Sequence, residues 1–591
     1  MARKRFFNPD RIGEIRPGQI ITTFGPGAIT DARKDSVTVL DINYWGRNGN
    51  KIYDTRLASY LNVDYFKCPP TEGSNDVPVV SFPKVHVCSN PRCGRIFNIE
   101  NYYDRDKYLR MGPTCPDCGA PAYPSRFIMI CECGHLDDFP WREWVHGGKT
   151  DCEGHLRLKS TGLTSTLADL RIECDECGAK KTMSGAMQED NFLSYKCTGR
   201  HPFRPNTQYE RCNKTMRASQ RGASNVYFPV IRSALSIPPW IDPLFNLIDE
   251  HYRDIVNYRE DFGEAGVRRI YERFFSDKYT EAEFNDALRK KDLNIQEYMM
   301  IKEMEYKAFT HHNSPIYSKE EYRKYFLAEE EPVSAALSPY FSRIIQINRL
   351  REIMVLLGFT RLDAPDPDAD DQKNIVYLTK ESGGERWLPG VEINGEGIFI
   401  EFNKDKIEKW LSNPSVSKLS KIYSDGYVKY CESRGWTSKN LKDGKYVLLH
   451  TFAHLLIKEM SLSSGYSTSA IKERIYSGDN MCGILLYTGS SDKEGSLGGL
   501  VELGKEEKLL PIIKAALENA LVCTSDPECM SHTPTIDDIN GASCHACTMI
   551  SETACENGNR LLDRGFVVPL SQKEDTAYFK ELIRDLCGIE I

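Results

Sequence analysis

The feature that most constrains this chain is where its thiols lie. Of twenty cysteines, eleven fall between residues 88 and 212 and five between 523 and 555. The 591 residues open on Met-Ala-Arg-Lys-Arg with no apolar leader, and no stretch reaches the roughly 20 apolar residues of a membrane span. A cytoplasmic protein is therefore expected. In that compartment thiols stay reduced, so crowded cysteines read as metal ligands rather than disulfides. Zinc is the metal that four thiolate or imidazole donors in a tetrahedron suit, and a C-x-x-C turn supplies two of them.

Near the C-terminus, Cys544 and Cys547 form such a turn, with Cys555 close behind and Cys523 and Cys529 upstream across a polar loop. Cys544, Cys547 and Cys555 are expected to be three ligands, and the fourth is Cys529 or Cys523. In the first half, Cys88-x4-Cys93 and Cys115-x2-Cys118 flank about twenty residues of hairpin-forming chain, the layout of a zinc ribbon. Cys174-x2-Cys177 is expected to pair with Cys197 and Cys212 in a second ribbon. Between them, Cys131, His135, His146 and Cys152 would close a further tetrahedron. The alternative is a packed linker anchored by Trp141 and Trp144, whose histidines only hydrogen-bond. Three zinc ions are expected, with a fourth if the 131–155 segment binds one.

Other motifs exclude chemistry. Gly25-Pro26-Gly27 follows an expected strand over 19–24 but matches neither the phosphate-cradling G-x-x-x-x-G-K-[ST] nor G-x-G-x-x-G. Lys149-Thr150 lacks the earlier glycine, since Glu143 stands there. His450 and His454 are spaced i, i+4 on a helix apolar nearly all round, but Thr451 occupies the glutamate position of H-E-x-x-H, which argues against a peptidase. No H-x-E…P-C-x-x-C deaminase signature is present. Glu392, Glu396 and Glu401 lie on an expected hairpin turning at Asn394-Gly395 and read as structural. Asp492, Glu494 and Ser496 read as a flexible turn.

The net charge of -8 argues against a broadly basic surface. One local run is basic: Arg200, Arg204, Arg211, Lys214 and Arg217, with Arg221 beyond and Phe203 and Tyr209 interleaved. Guanidinium groups and aromatic faces together suit single-stranded nucleic acid, and the run reads equally as a solvated rim.

The expected fold class is α+β and multidomain. An N-terminal β-containing segment (1–85) precedes a zinc-ribbon region (86–222) and a helical region (223–360), which closes on an amphipathic helix ending at Gly358. A hairpin with connecting helices (361–440) leads to an α/β zinc-binding domain (441–570) and a last helix (571–591).

The ordered blocks HTFAHLLI, ERIY, GILLYT, GSLGGLVEL, CTSDPEC, GASCHAC, TAC and NRLLDR resemble the zinc-binding domain that ends MrfA-type DNA-repair helicases. RPGQIITTFGPGAITD, CGHLDDFPWREWVH, RASQRGASNVYFPVIRSALSIP, LREIMVLLGFTRL and WLPGVEINGEGIFI resemble the DrmB family of the DISARM anti-phage system. The resemblance implies a non-catalytic zinc subunit. It would form a heterodimer with DrmA, a superfamily 2 helicase that supplies the ATPase, and engage DNA with a single-stranded overhang through the complex. It also implies Cys529, Cys544, Cys547 and Cys555 as ligands, with Cys523 contending for the first place. The extra Cys133 in CECGH departs from the family pattern. The competing readings are a zinc-dependent nucleic-acid-processing enzyme such as a nuclease, which needs an open coordination position, and a scaffold that never touches nucleic acid.

Overall fold

The computed structural model describes residues 12–588 except 33–34, 47–48, 71–76, 161–165, 294, 367–368, 371, 380, 383, 439–441, 491–498 and 572–573. Asp492, Glu494 and Ser496 lie outside the described residues. The architecture is α+β, and its centre is a ten-stranded sheet. The main path runs Phe228–Leu235, Phe341–Thr360, Glu385–Phe402, Met481–Ser490 and Ile471–Gly478, each antiparallel to the next. With Lys51–Ile52 and Tyr65–Lys67 joining it beside Glu385–Phe402, strands from four of the expected segments share this sheet, and the divisions at 360 and 440 fall inside a single structural unit.

Two of those strands overturn sequence expectations. The stretch ending at Gly358 is a 20-residue strand, not a helix. Its apolar residues lose the two-residue alternation because both faces are covered. Phe341 and Ile344 pack with the helix Gly444–Ser464, and Ile345 and Ile347 pack with Phe309 and Phe326 on the other side. Likewise, Asn394-Gly395 is not a hairpin turn but lies inside the 18-residue strand Glu385–Phe402. Gly395 sits beside a register shift, and a Cβ there would lie 1.6 Å from the Thr488 carbonyl oxygen. The glycine serves close backbone approach, not a turn. A third correction is Pro17–Thr22, a short helix where a strand was expected; Pro17 at its first turn presets the helical φ.

The helical section is real over Pro243–Phe262, Glu264–Phe274, Glu281–Lys291 and Tyr298–Thr310. The last of these lies against the sheet. Glu401 on the sheet accepts a hydrogen bond from Tyr306 on that helix (2.5 Å) and pairs with Arg343 (2.9 Å). Glu396 accepts from the Leu500 N–H (2.7 Å), and Glu392 pairs with Arg351 (3.0 Å). All three carboxylates are structural.

The cysteine-rich first half builds two smaller sheets. One has six strands in the order Lys180–Thr182, Leu170–Cys174, Leu156–Ser160, Arg95–Asn98, Val85–Cys88 and Ala122–Pro124. The other has three, with Phe127–Ile130 between Leu136–Asp138 and Arg217–Gln220. Buried Arg361, continuing the long central strand, fastens this region to the main sheet. Its guanidinium donates to the carbonyls of Gly134 (2.8 Å), Gly27 (2.9 Å) and Val226. Among the described residues, no helix is long and apolar enough to cross a membrane.

Candidate metal centres

Strand ends and turns deliver the thiols. Cys88 ends one strand, Cys93 lies in the turn to the next, and Cys115 and Cys118 lie in a turn before a third. Their ligand atoms fall within 4.8 Å of one another. The Cys88–Cys118 sulfurs are 3.5 Å apart and the Cys93–Cys115 sulfurs 3.7 Å. A disulfide would need about 2.0 Å. A zinc tetrahedron with bonds of about 2.3 Å has edges of about 3.8 Å, which the observed spacings approach.

Strand pairing regroups the rest. Leu156–Ser160 pairs with Leu170–Cys174, with Leu156 opposite Cys174. This brings Cys152, just ahead of Leu156, to Cys174 and Cys177, and His146 arrives from the end of the helix Trp141–His146. The Cys152–Cys174 sulfurs are 3.6 Å apart, and His146 Nε2 is 3.2 Å from the Cys177 sulfur. His146 Nδ1 donates to the Arg142 carbonyl (2.8 Å), which leaves the lone pair on Nε2.

Cys197 and Cys212 go elsewhere. The chain around them bridges Lys196 to Thr215 and feeds the strand Arg217–Gln220, which pairs with Phe127–Ile130. They therefore meet Cys131 and His135, with Cys131 and Cys212 sulfurs 3.7 Å apart. The expected ribbon of Cys174, Cys177, Cys197 and Cys212 is split between two clusters, and so is the expected Cys131, His135, His146, Cys152 set. Neighbouring knuckles in sequence belong to different sheets. Trp141 and Trp144 are buried in the core between the clusters.

His135 Nε2 lies 3.2 Å from Glu210, while its buried Nδ1 has no hydrogen-bond partner among the described residues. A carboxylate on one ring nitrogen and a free lone pair on the other is the usual setting of a metal-bound histidine. His201, which sequence reading missed, contacts the same Glu210 (3.2 Å); burial and the nearby His135 push its pKa down to about 4. Burial and the neighbouring Cys131 and Cys212 thiols push the extra Cys133 thiol up to about 12.

At the C-terminal end, Cys523, just past the helix Glu506–Ala520, joins Cys529, Cys544 and Cys547. The sulfur spacings are 3.5 Å (Cys523–Cys544), 3.6 Å (Cys529–Cys547) and 3.7 Å (Cys544–Cys547). Both contenders are present, and Cys555, expected in this set, is not. Its loop carries it to the buried face of Gly444–Ser464, beside His450, His454 and Glu473.

The three clusters holding a C-x-x-C turn share an electrostatic device. Burial opposes ionisation of Cys174 and Cys544, yet backbone N–H groups in the turns and neighbouring thiols bring each down to about 6. The Ala120 N–H, with neighbouring thiols, lowers Cys118 to about 7. The peptide N–H two residues on donates to Cys88 (3.4 Å), Cys197 (3.3 Å) and Cys523 (3.4 Å). Thiolate is the form that binds metal, and at Cys88 burial outweighs the N–H donor and pushes the thiol up to about 12.

The basic run is largely spent within the molecule. Arg200 pairs with Asp137 and Asp138, Arg204 with Asp41, Lys214 with Glu132, Arg217 with Glu189 and Arg221 with Asp31. Arg211 is exposed, without an ion pair among the described residues.

Residues 452–548 match the family described as the MrfA Zn-binding domain, which agrees with the C-terminal tetrad of thiols. Residues 16–228, holding the other cysteine-rich clusters, match a domain of unknown function, DUF8724. Over 569 residues the chain is 47% identical to "DISARM protein DrmB" of Bacillus paralicheniformis, covering 94% of this chain and all of that protein. The chain belongs to the DrmB family. The match to the DrmB relative spans both the cysteine-rich half and the C-terminal zinc-binding domain.

Proposed function

We propose that this chain is the non-catalytic zinc subunit of a DISARM anti-phage complex, in which it pairs with a DrmA-like superfamily 2 helicase and helps it engage DNA. The observation that carries this reading is 47% identity, over 94% of this chain, with a DISARM DrmB protein. The donor sets point the same way. Each cysteine-rich cluster offers four protein donors to one ion, which fills a tetrahedron and leaves no position for a substrate or an activated water. Four zinc ions, one per cysteine-rich cluster, would hold the small sheets and the C-terminal lobe in shape. With most of the 200–221 cations already paired, the phosphate-binding surface of the complex belongs mainly to the partner.

The test is co-expression with the helicase gene from the same host, followed by affinity capture of this chain. Retention of the helicase, with no ATP hydrolysis or DNA cleavage by the isolated chain, is expected. Turnover by the isolated chain that a single ligand substitution abolishes would replace this reading with a zinc enzyme.

A further inference from the structure

Beneath the C-terminal tetrad lies a second group of donors that contains no C-x-x-C turn. His450 and His454 stand one turn apart on the helix Gly444–Ser464, Glu473 comes from the strand Ile471–Gly478, and Cys555 from the loop beyond the tetrad. All four are buried, both histidines to 0% exposure, and their ligand atoms lie within 4.8 Å of one another.

The hydrogen bonds fix the tautomers. His450 Nδ1 donates to the Leu561 carbonyl (3.3 Å) and His454 Nδ1 to the Thr548 carbonyl (3.0 Å). A carbonyl only accepts, so both Nδ1 atoms carry hydrogen and both Nε2 atoms are left with lone pairs. Those lone pairs converge on one acceptor. Glu473 Oε1 is 2.9 Å from His450 Nε2 and 3.2 Å from His454 Nε2. The Cys555 sulfur is 3.2 Å from His450 Nε2. Glu473 Oε2 is buried with no hydrogen-bond partner among the described residues.

Such a set of acceptors needs positive charge at its centre. One added proton leaves the other imidazole lone pair against the carboxylate. Two added protons leave two imidazolium ions facing one carboxylate, a net charge of +1 sealed from water, which is costly. A divalent ion with Glu473 and a Cys555 thiolate sums to zero and gives every donor a partner. The N–H groups of Asn557 (3.3 Å) and Asn559 (3.2 Å) donate to the Cys555 sulfur.

We infer that His450, His454, Glu473 and Cys555 form a distinct, fully buried metal centre that holds one divalent transition-metal ion, zinc by its mixed nitrogen, oxygen and sulfur donors. The nitrogen–oxygen spacings lie within a few tenths of an ångström of the about 3.3 Å edge expected for bonds of about 2.0–2.1 Å. Four protein ligands close the site, so the ion is structural. It pins the 544–561 loop, and with it the tetrad, to the core helix, independently of any partner or nucleic acid.

Zinc-edge anomalous diffraction from crystals of the full chain, purified without chelator, tests this directly. The expected result is a peak enclosed by the four side chains, in addition to peaks at the cysteine-rich clusters. No peak at this position overturns the inference, whatever the other clusters hold. A peak here with none at the cysteine-rich clusters would support it and sink the four-zinc reading above. In native mass spectrometry, Glu473→Gln is expected to lower the ion count by one, and an unchanged count in that variant overturns the assignment.

Discussion

Arg474 donates to Glu305 through Nε at 2.7 Å and Nη2 at 2.9 Å, with both side chains buried. The pair joins an outer strand of the central sheet to the helix Tyr298–Thr310. Glu305 also accepts from the Leu235 N–H (2.8 Å) and Tyr476 hydroxyl (3.0 Å), and Arg474 reaches Ser233 Oγ (2.9 Å). Three distant stretches of chain therefore meet in one satisfied network. Its neighbour Glu473, one residue back along the strand, points to the opposite face and the His450–His454 pair.

Glu305→Ala leaves the Arg474 guanidinium buried without its carboxylate. Removing one partner of such a pair costs about 3–5 kcal/mol. Denaturant unfolding should show a loss of that size with the zinc content of the folded protein unchanged, because the network touches no cluster. A loss under about 1 kcal/mol would mean that the helix is held chiefly by its apolar face.

Cys152→Ser tests the regrouping of the first-half cysteines. Cys152 shares its cluster with His146, Cys174 and Cys177, while Cys197 and Cys212 lie with Cys131 and His135. Native mass spectrometry should show one ion fewer, and Cys152→Ser combined with Cys177→Ser should lose no more than the single change. Cys177→Ser with Cys212→Ser should lose two ions. A loss of only one in that pair would restore a shared ribbon.

Which residues could serve as ligands was more legible than which of them lie together. Spacing alone marks Cys88, Cys93, Cys115 and Cys118, because all four lie at the end of a strand or in the turns of one local arrangement of neighbouring strands. It misplaces Cys197 and Cys555, because their partners are set by strand pairing and by a loop crossing the core helix, both non-local. Glu473 carried no signal, since a lone glutamate in KERIY reads as surface until the strand is known to be buried on both sides. The same double burial hid the strand Phe341–Thr360, whose apolar residues lack strict alternation and imitate an amphipathic helix. The helix Gly444–Ser464 was plain, since a helix apolar on nearly every face belongs in a core.

His135 and Cys133 make opposite claims on the cluster they share. His135 presents an unpartnered Nδ1 while Glu210 holds its other nitrogen. His135→Ala is expected to release that ion, and Cys133→Ser to retain it, by metal analysis after gel filtration. Loss of the ion from the serine variant alone would make Cys133 the ligand and His135 a neighbour held by Glu210.

Arg204 separates structural from nucleic-acid roles for the basic run. Its Nε donates to Asp41 at 2.6 Å and its Nη2 to the Tyr377 carbonyl at 2.7 Å. Asp41 is itself buried, with Thr379 (3.1 Å) and the Ile42 N–H (2.7 Å) on the same carboxylate. Arg204→Ala leaves that carboxylate short of its cation, at a cost of about 1–3 kcal/mol in unfolding free energy. A phosphate contact would instead appear in binding, since each one released shifts the slope of log affinity against log salt by about 0.9. With the helicase complex on overhang DNA, the slope for Arg204→Ala should match wild type. Arg211→Ala, at an exposed position without an ion pair among the described residues, is where a shallower slope would appear if this rim touches the backbone. A slope reduced by Arg204→Ala, with stability intact, would show that the arginine leaves Asp41 to bind DNA.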